Sequence, residues 1–265
     1  HAGQVRCMGM GIPGLLDREK GISFFSPNFP GWENVPVAEW FQRRFHIPVF
    51  IDNDVRMNLY GEWRFGAGVG CKNLVLLTLG TGLGSGVVMD GRVLYGATGS
   101  AGEVGHMNIV AQGGRPCRCG SSGCLGRYVS ALGLIRTAKE KLSQNPGSLL
   151  WSWTQGDLEQ LTAKMISDAY DQNDKIAVES LQETGQVLGL GIVNMINLYN
   201  PELVIIGGGM CAAGERLLGP AREVIGRRAL KLSREACTLV TAQLGDGAGM
   251  LGAAVYAAEQ WKERK

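Results

Sequence analysis

The sequence predicts an α/β protein, and three observations carry that reading. Short apolar runs that read as strands alternate along the chain with longer segments of helical spacing. Of its 265 residues 45% are apolar, enough to bury a sizeable core. Glycine, at 40 residues, is about twice its usual share, yet it follows no collagen-like period and forms no low-complexity block. Glycine in that amount points to tight turns and to backbone that approaches a ligand closely.

Val5–Ile12 reads as a strand at the very start of the chain. Pro36–Phe45 places Val37, Trp40, Phe41 and Phe45 near helical spacing with Asn34 as the cap, and Ile47–Ile51 is a short buried strand. The polar turn Asn53-Asp54 leads into a helix over Val55–Phe65. Leu74–Leu79 and Gly84–Asp90 read as strands, with Asp90-Gly91 as the hairpin turn into Val93–Tyr95. Beyond a cysteine-rich loop come helices near Tyr128–Leu142, Leu158–Tyr170 and Lys175–Leu198, the last closed by Asn200-Pro201. Leu203–Ile206 is a buried strand ending in three glycines; a helix over Gly214–Arg228, a strand over Thr238–Ala242 and a helix over Leu251–Lys262 complete the chain.

Charge narrows the function classes. The 26 basic and 24 acidic residues leave a net charge of only +2, which gives no nucleic-acid groove and no membrane-surface patch. The basic residues Arg216, Arg222, Arg227, Arg228, Lys231 and Arg234 alternate with Glu215, Glu223 and Glu235 and read as a solvated helix face. No apolar run reaches the roughly 18 residues of a membrane span, and no signal peptide is evident. Seven cysteines, an odd number with three of them crowded together, favour a reducing compartment and metal chemistry over disulfides.

Four motifs carry chemistry. Gly9-Met-Gly11-Ile-Pro-Gly14 satisfies G-x-G-x-x-G, but Pro13 and Gly21 leave no room for the helix a dinucleotide fingerprint needs, so a sharp turn is expected. In Leu79-Gly-Thr-Gly-Leu-Gly-Ser-Gly86, four glycines at alternate positions join two strands beside the Thr81 hydroxyl. Such a hairpin either wraps phosphate oxygens or binds nothing. His106, Cys117, Cys119 and Cys124 place four soft ligands within 19 residues, with Gly120 and Gly123 letting the loop turn back, a pattern suited to a closed tetrahedral zinc. The ring nitrogen of His106 left off the metal is then a fixed donor. Asn53-Asp54 lies past the end of a buried strand, where open α/β sheets place ligands; Asp54 serves there as proton acceptor, as helix cap, or as both. Glu103 precedes His106 by three residues, so both can point into one pocket.

Together the runs IDNDVRMNLYGEW, LTLGTGLGSGVV, GATGSAGEVGHM, CRCGSSGCL and VIIGGGM resemble the ROK family of bacterial sugar kinases and sugar-responsive repressors, its glucokinases above all. The resemblance covers essentially the whole chain, and E-x-G-H followed by C-x-C-G-x-x-G-C is its most specific part. It implies an actin-like ATPase (ribonuclease H-like) sugar kinase fold of two α/β domains with ATP and sugar in the cleft between them. Residues 1–58 with 249–265 would form the smaller domain and residues 59–248 the larger. It implies Asp54 as catalytic base; Asn53, Glu103 and His106 as sugar ligands beside it; Gly80, Thr81, Gly82 and Gly84 at the phosphates; and Gly207, Gly208 and Gly209 at the adenosine. It also implies structural zinc on His106, Cys117, Cys119 and Cys124, magnesium with the ATP, a cytoplasmic setting and a homodimer or homotetramer. The activity implied is ATP-dependent phosphorylation of a hexose, glucose first. The alternative is the sugar-sensing domain of a repressor without its DNA-binding helices.

The chain departs from the family pattern twice. The family's first phosphate turn, Asp-x-Gly-Gly-Thr, has no counterpart, and members reach a segment like Val5–Asp17 only after several dozen residues. The expectation is therefore a chain shortened at its start and a poor catalyst as it stands. The family's usual glutamate after the Cys-Leu pair is Gly126 here, which leaves the choice of hexose open.

Overall fold

The computed structural model describes residues 5–26, 29–143 and 145–264. By density of internal contacts the chain groups into two compact units, one of His1–Leu76, Ser85–Gly102 and Val240–Lys265, the other of Leu77–Gly84 and Glu103–Leu239. A five-stranded sheet in the order β10-β9-β6-β7-β8 is built from β6 (Leu74–Leu79), β7 (Leu83–Met89), β8 (Arg92–Val93), β9 (Leu203–Gly207) and β10 (Thr238–Thr241). The unit boundaries fall within β6, β7 and β10. The β7–β8 hairpin turns at Asp90-Gly91 with both residues at positive φ, 49° and 71°, the conformation expected of that dipeptide.

In the first unit, β1 (Met8–Ile12) runs parallel to β5 (Val49–Asn53), Met8 opposite Val49 and Ile12 opposite Asn53. Among the described residues β1 pairs with β5 alone. No helix follows the G-x-G-x-x-G segment: Gly14, at φ +95°, turns the chain into β2 (Leu15–Asp17), as Pro13 foretold. An antiparallel meander of β2, β3 (Ile22–Phe25) and β4 (Glu33–Val35) follows, which the sequence reading did not anticipate. Asn34 lies in β4 at φ +50° and does not cap; α1 (Val37–Phe45) starts after Pro36. Ile12, Val35, Val37, Ala38, Val49 and Ile51 form the core between this helix and the strands.

Helix α2 (Asp54–Phe65) packs along α10 (Ala248–Glu263) so closely that a Cβ on Gly252 would lie 1.7 Å from the Met57 carbonyl oxygen, and one on Gly61 2.1 Å from that of Ala248. That packing explains why α2 groups with the chain's two ends. Glu62, fully buried on α2, accepts hydrogen bonds from the backbone N–H groups of Ala67, Gln243 and Leu244, so one carboxylate holds the turn into α10.

The second unit is mainly helical, with α7 (Lys175–Tyr199) at its centre against α8 (Glu215–Arg228). Asp174 caps α7 by accepting from Ala177 N–H, and Asn200 ends it in the left-handed region ahead of Pro201. The helix expected over Tyr128–Leu142 is broken into α3 (Gly126–Val129) and α4 (Ala131–Leu142). The break is at Ser130, whose hydroxyl accepts from Gly133 N–H and donates to the Gly126 carbonyl, a local bond that competes with helix continuation. Leu158–Tyr170 similarly divides into a 3-10 turn (Leu158–Gln160) and α6 (Ala163–Tyr170), with Thr162 capping the latter. Two short helices, α5 (Leu149–Trp153) and α9 (Lys231–Ala236), were not foreseen. On the basic face, Arg222 pairs with Glu215, Arg227 with Glu223, and Arg216 with Asp171. No helix among the described residues is long and apolar enough to cross a membrane.

Candidate functional site

The first unit carries Asn53 and Asp54 at the junction of β5 and α2. The cap is Asn53: its Oδ1 accepts from the backbone N–H groups of Val55 at 3.0 Å and Arg56 at 3.3 Å, while its amide group makes a long 3.5 Å contact to the Gly14 carbonyl. The amide oxygen is thus committed to the helix, and the NH2 group is what Asn53 has left for a ligand. Asp54 is exposed at the first position of α2, where aligned N–H groups favour a carboxylate. Its Oδ1 accepts from Val55 N–H at 3.0 Å and its Oδ2 has no partner among the described residues. Asp54 lines an open cavity of about 560 Å³ with Gly9, Gly11, Met57, Asn58 and Gly249.

Behind this turn lies a buried polar cluster that no local motif announced. Asp52, fully buried, accepts from Asn53 N–H and Arg56 Nε at 2.7 Å each through Oδ1 and from the Tyr95 hydroxyl at 2.8 Å through Oδ2. Tyr60 lies 3.2 Å from the Tyr95 hydroxyl, and the Arg18 guanidinium stacks 3.9 Å from the Tyr95 ring centre. Burial pushes the Tyr60 phenol up to about 12, and raises Tyr95 further, with the Asp52 charge adding to burial, so Tyr95 is a permanent hydrogen-bond donor.

In the second unit Glu103 and His106 stand at the two ends of one 3-10 turn, Val104–His106, closed by a bond from His106 N–H to the Glu103 carbonyl. Side chains three apart eclipse in such a turn, so the two exposed groups share a face. The ligand atoms of His106, Cys117, Cys119 and Cys124 all lie within 4.8 Å of one another. Cys119 Sγ is 3.7 Å from Cys124 Sγ, and Cys117 Sγ is 3.7 Å from His106 Nδ1. A tetrahedron with the usual zinc–sulfur bond of about 2.3 Å has a sulfur–sulfur edge of about 3.8 Å, so the donor set fits a Cys3His metal centre and is far from disulfide distance. Hydrogen bonding, first from Ser121 N–H and then with Cys117, lowers the Cys119 thiol to about 7, whereas burial and the neighbouring thiols push Cys124 up to about 12. Three thiols this close resist ionising together unless a cation joins them.

The loop is formed as its glycines implied, with Gly120 and Gly123 at positive φ. Its anchor, Arg115, escaped the sequence reading. This buried guanidinium donates to the carbonyls of Arg127 and Gly133, to Thr137 Oγ1 and to Glu140, and stacks 4.7 Å from the Tyr128 ring centre. Gly126 stands against the same region: a Cβ there would sit 3.3 Å from the Gly105 carbonyl oxygen and from Leu83 Cβ.

Also in the second unit are the two glycine turns. Gly80–Gly82 follows β6 and Gly207–Gly209 ends β9; β6 and β9 are neighbours in the sheet. Gly208, at φ 86° and ψ 169°, packs so tightly that a Cβ would lie 2.4 Å from the Leu79 carbonyl oxygen. The C-terminal ends of the two strands therefore lie side by side, the position at which open α/β sheets hold ligands. The carbonyl of Gly80 accepts from Ala131 N–H, tying the hairpin to the start of α4. On the outer side a Cβ at Gly80, Gly82 or Gly209 would meet nothing within 4 Å, so both turns face open space. Beside Gly209 is a cavity of about 410 Å³, lined by Leu134, Lys164, Ser167, Met210 and Arg216 among others.

Comparison with known proteins places this geometry. The ROK family profile matches residues 1–260, and the chain belongs to the ROK family. It is 40% identical over 247 residues to a glucokinase of Thermotoga maritima, covering 93% of this chain and 77% of that protein. It is also 34% identical over 245 residues to a xylose repressor of Caldicellulosiruptor bescii, covering 92% of this chain and 60% of the repressor. Among solved structures, the ROK family glucokinase of Streptomyces griseus in complex with glucose and AMPPNP superposes with a TM-score of 0.83 at 34% identity, over 97% of this chain and 82% of that one. The fold is accordingly the actin-like ATPase fold of the ROK sugar kinases.

Proposed function

We propose that the chain is an ATP-dependent hexose kinase of the glucokinase type, with glucose as its sugar. The observation that carries this reading is the pair of glycine turns at the ends of β6 and β9, both open on the outer side, with a cavity large enough for a base beside Gly209. A domain that only senses sugar needs neither. Gly80, Thr81, Gly82 and Gly84 would hold the phosphates by backbone N–H groups and the Thr81 hydroxyl, and Gly207, Gly208 and Gly209 would face the adenosine. Glu103 accepts from sugar hydroxyls, and His106 donates from the ring nitrogen opposite the thiols. Asn53 contributes its amide N–H.

Asp54 is the base. Its free Oδ2 takes the proton of the sugar hydroxyl as that oxygen forms its bond to the γ-phosphorus; the bond to the bridging oxygen breaks and ADP leaves with the electron pair. Magnesium, if it arrives with the nucleotide, would supply positive charge against the phosphates. His106, Cys117, Cys119 and Cys124 would hold a zinc ion with all four positions taken by protein, which would stiffen the loop and fix the His106 ring without activating water. Seven cysteines, with no disulfide among the described residues, suit a reducing, cytoplasmic setting.

The test, on the full-length protein, is glucose-dependent release of ADP together with calorimetric binding of glucose and AMPPNP. Asp54→Asn is expected to lower turnover by about 10²–10⁴-fold while glucose still binds, because the amide keeps its hydrogen bonds and cannot accept the proton. The similarity to the xylose repressor supports a second reading, a sugar sensor. Sugar binding with no AMPPNP binding and no turnover would establish it in place of the kinase.

A further inference from the structure

We infer that Tyr95 is a positioning residue for the sugar site: through its hydrogen bond to Asp52 it fixes the backbone turn that presents Asn53 and Asp54. The inference rests on the kinase reading of that turn. Asp52 is the residue immediately before the pair, and its two carboxylate oxygens divide their work. Oδ1 takes the local donors, Asn53 N–H and Arg56 Nε, both at 2.7 Å. Oδ2 takes one donor, the Tyr95 hydroxyl, at 2.8 Å from 43 residues along the chain. Rotation of the carboxylate would break the bond to Asn53 N–H, so whatever holds Oδ2 sets the orientation of the peptide entering the site.

Tyr95 is itself held on three sides. Arg18 covers its ring, the Arg56 guanidinium lies 5.3 Å from the ring centre, and Tyr60, one helical turn beyond Arg56 on α2, meets its hydroxyl at 3.2 Å. Stability alone does not call for this arrangement. A buried ion pair is often no better than well-packed apolar groups of the same volume, whereas it does impose one geometry. Here the geometry is imposed at the peptide that carries the reacting carboxylate, where misplacement of about 1 Å can cost 10²-fold in rate.

Tyr95→Phe removes the hydroxyl and keeps the ring and both guanidinium contacts. The expected result is a fall in kcat of about tenfold or more, with glucose affinity weakened about fivefold and the KM for ATP unchanged. Tyr60→Phe removes the neighbouring hydroxyl and leaves the Tyr95–Asp52 bond in place; a smaller fall in kcat than in Tyr95→Phe is expected, and an equal or larger one would count against the Tyr95–Asp52 bond as the positioning contact. In the Asp54→Asn background Tyr95→Phe should add little to the rate loss, because both changes act on one carboxylate. If Tyr95→Phe fails to fold, Asp52→Asn is measured instead and is expected to show the same split between kcat and the KM for ATP. A lowered melting temperature with unchanged kcat and glucose affinity would overturn the inference and leave Tyr95 a purely structural residue. A wild-type protein that binds glucose without turnover refutes the kinase reading alone, and equal glucose affinity in Tyr95→Phe then overturns the positioning role. A wild type that binds neither glucose nor nucleotide refutes both.

Discussion

Gly208 and Gly209 are adjacent, yet an added methyl group should do opposite things at the two positions. At Gly208 the backbone sits at φ 86° and ψ 169°, a region open essentially to glycine alone, at a cost of about 1–3 kcal/mol for another residue. The added Cβ would also lie 2.4 Å from the Leu79 carbonyl oxygen, and overlap with fixed backbone costs about another 1–3 kcal/mol. Gly208→Ala should therefore lose about 2–6 kcal/mol of stability, and with it the alignment of the β6 and β9 ends. At Gly209 a Cβ meets no protein atom within 4 Å, so Gly209→Ala should fold as well as the parent or slightly better, since alanine restricts the unfolded chain. Its methyl group occupies the space that the proposed adenosine needs. The assay is thermal unfolding with and without AMPPNP. A ligand at about 100 times its dissociation constant stabilises by about 2.7 kcal/mol, a shift easily read in a protein of this size. The expected pattern is a lowered melting temperature without ligand for Gly208→Ala, and a normal one with most of the AMPPNP shift lost for Gly209→Ala. An undiminished AMPPNP shift in Gly209→Ala would refute the nucleotide assignment, and an unchanged melting temperature in Gly208→Ala would refute the packing argument.

Three further outcomes are expected. Elemental analysis of protein purified without chelators should find one zinc per chain, and its removal should lower both stability and glucose affinity, because the His106 ring loses its fixed orientation; metal-free protein of equal stability refutes this. Gly126→Glu should tighten glucose binding, by about 1–3 kcal/mol, if a carboxylate there finds a sugar hydroxyl; its Cβ requires Leu83 and the Gly105 carbonyl each to give by a few tenths of an ångström, and unchanged or weaker affinity by calorimetry in a variant of parental stability would mean the pocket is built for another sugar. Stability should fall as pH rises above about 10, because Tyr60, Tyr95 and Tyr256 are all raised by burial and the unfolded chain releases their protons first. The contribution is full below the ordinary tyrosine value of 10 and is lost as pH rises above it; Tyr95→Phe should flatten the decline in urea midpoints, and an equal slope in the two proteins would count against a half-buried, protonated Tyr95.

The parts of the site legible in the sequence are those whose partners are close in the chain. The Cys3His set spans 19 residues and its spacing forecast the cluster, because ligands that near one another have few ways to be apart. Gly80–Gly86 and Gly207–Gly209 stand out in the sequence as glycine runs beside apolar strands, although of their glycines Gly208 alone has a positive φ. The meander of β2, β3 and β4 was not legible: its strands have three or four residues each, with Leu15, Phe24 and Phe25 exposed, so neither period nor burial marks them. Arg115, Glu62 and the pair Tyr95–Asp52 were invisible for another reason. Their partners lie 12 to 25 residues away for Arg115, 43 for Tyr95 and up to 182 for Glu62, and a lone arginine, glutamate or tyrosine looks the same whether it is solvated or buried.

These unseen residues nonetheless have one thing in common. Arg115 anchors the loop that carries Cys117, Cys119 and Cys124, and Asp52 with Tyr95 holds the turn that carries Asn53 and Asp54. In each case a buried charged group is satisfied by several hydrogen bonds, and in each case the segment it holds is a loop or helix start with little apolar surface of its own to fix it. Apolar packing positions β6, β9 and α7, since burying their faces defines their place. A loop that must expose polar groups to a ligand lacks that means of support. Directional bonds to a buried guanidinium or carboxylate supply it, and breaking one leaves an unpaired charge, which penalises any other arrangement of the loop. The chemistry-bearing motifs of this chain are therefore readable locally, while the groups that give them a defined geometry become visible only once the chain is folded.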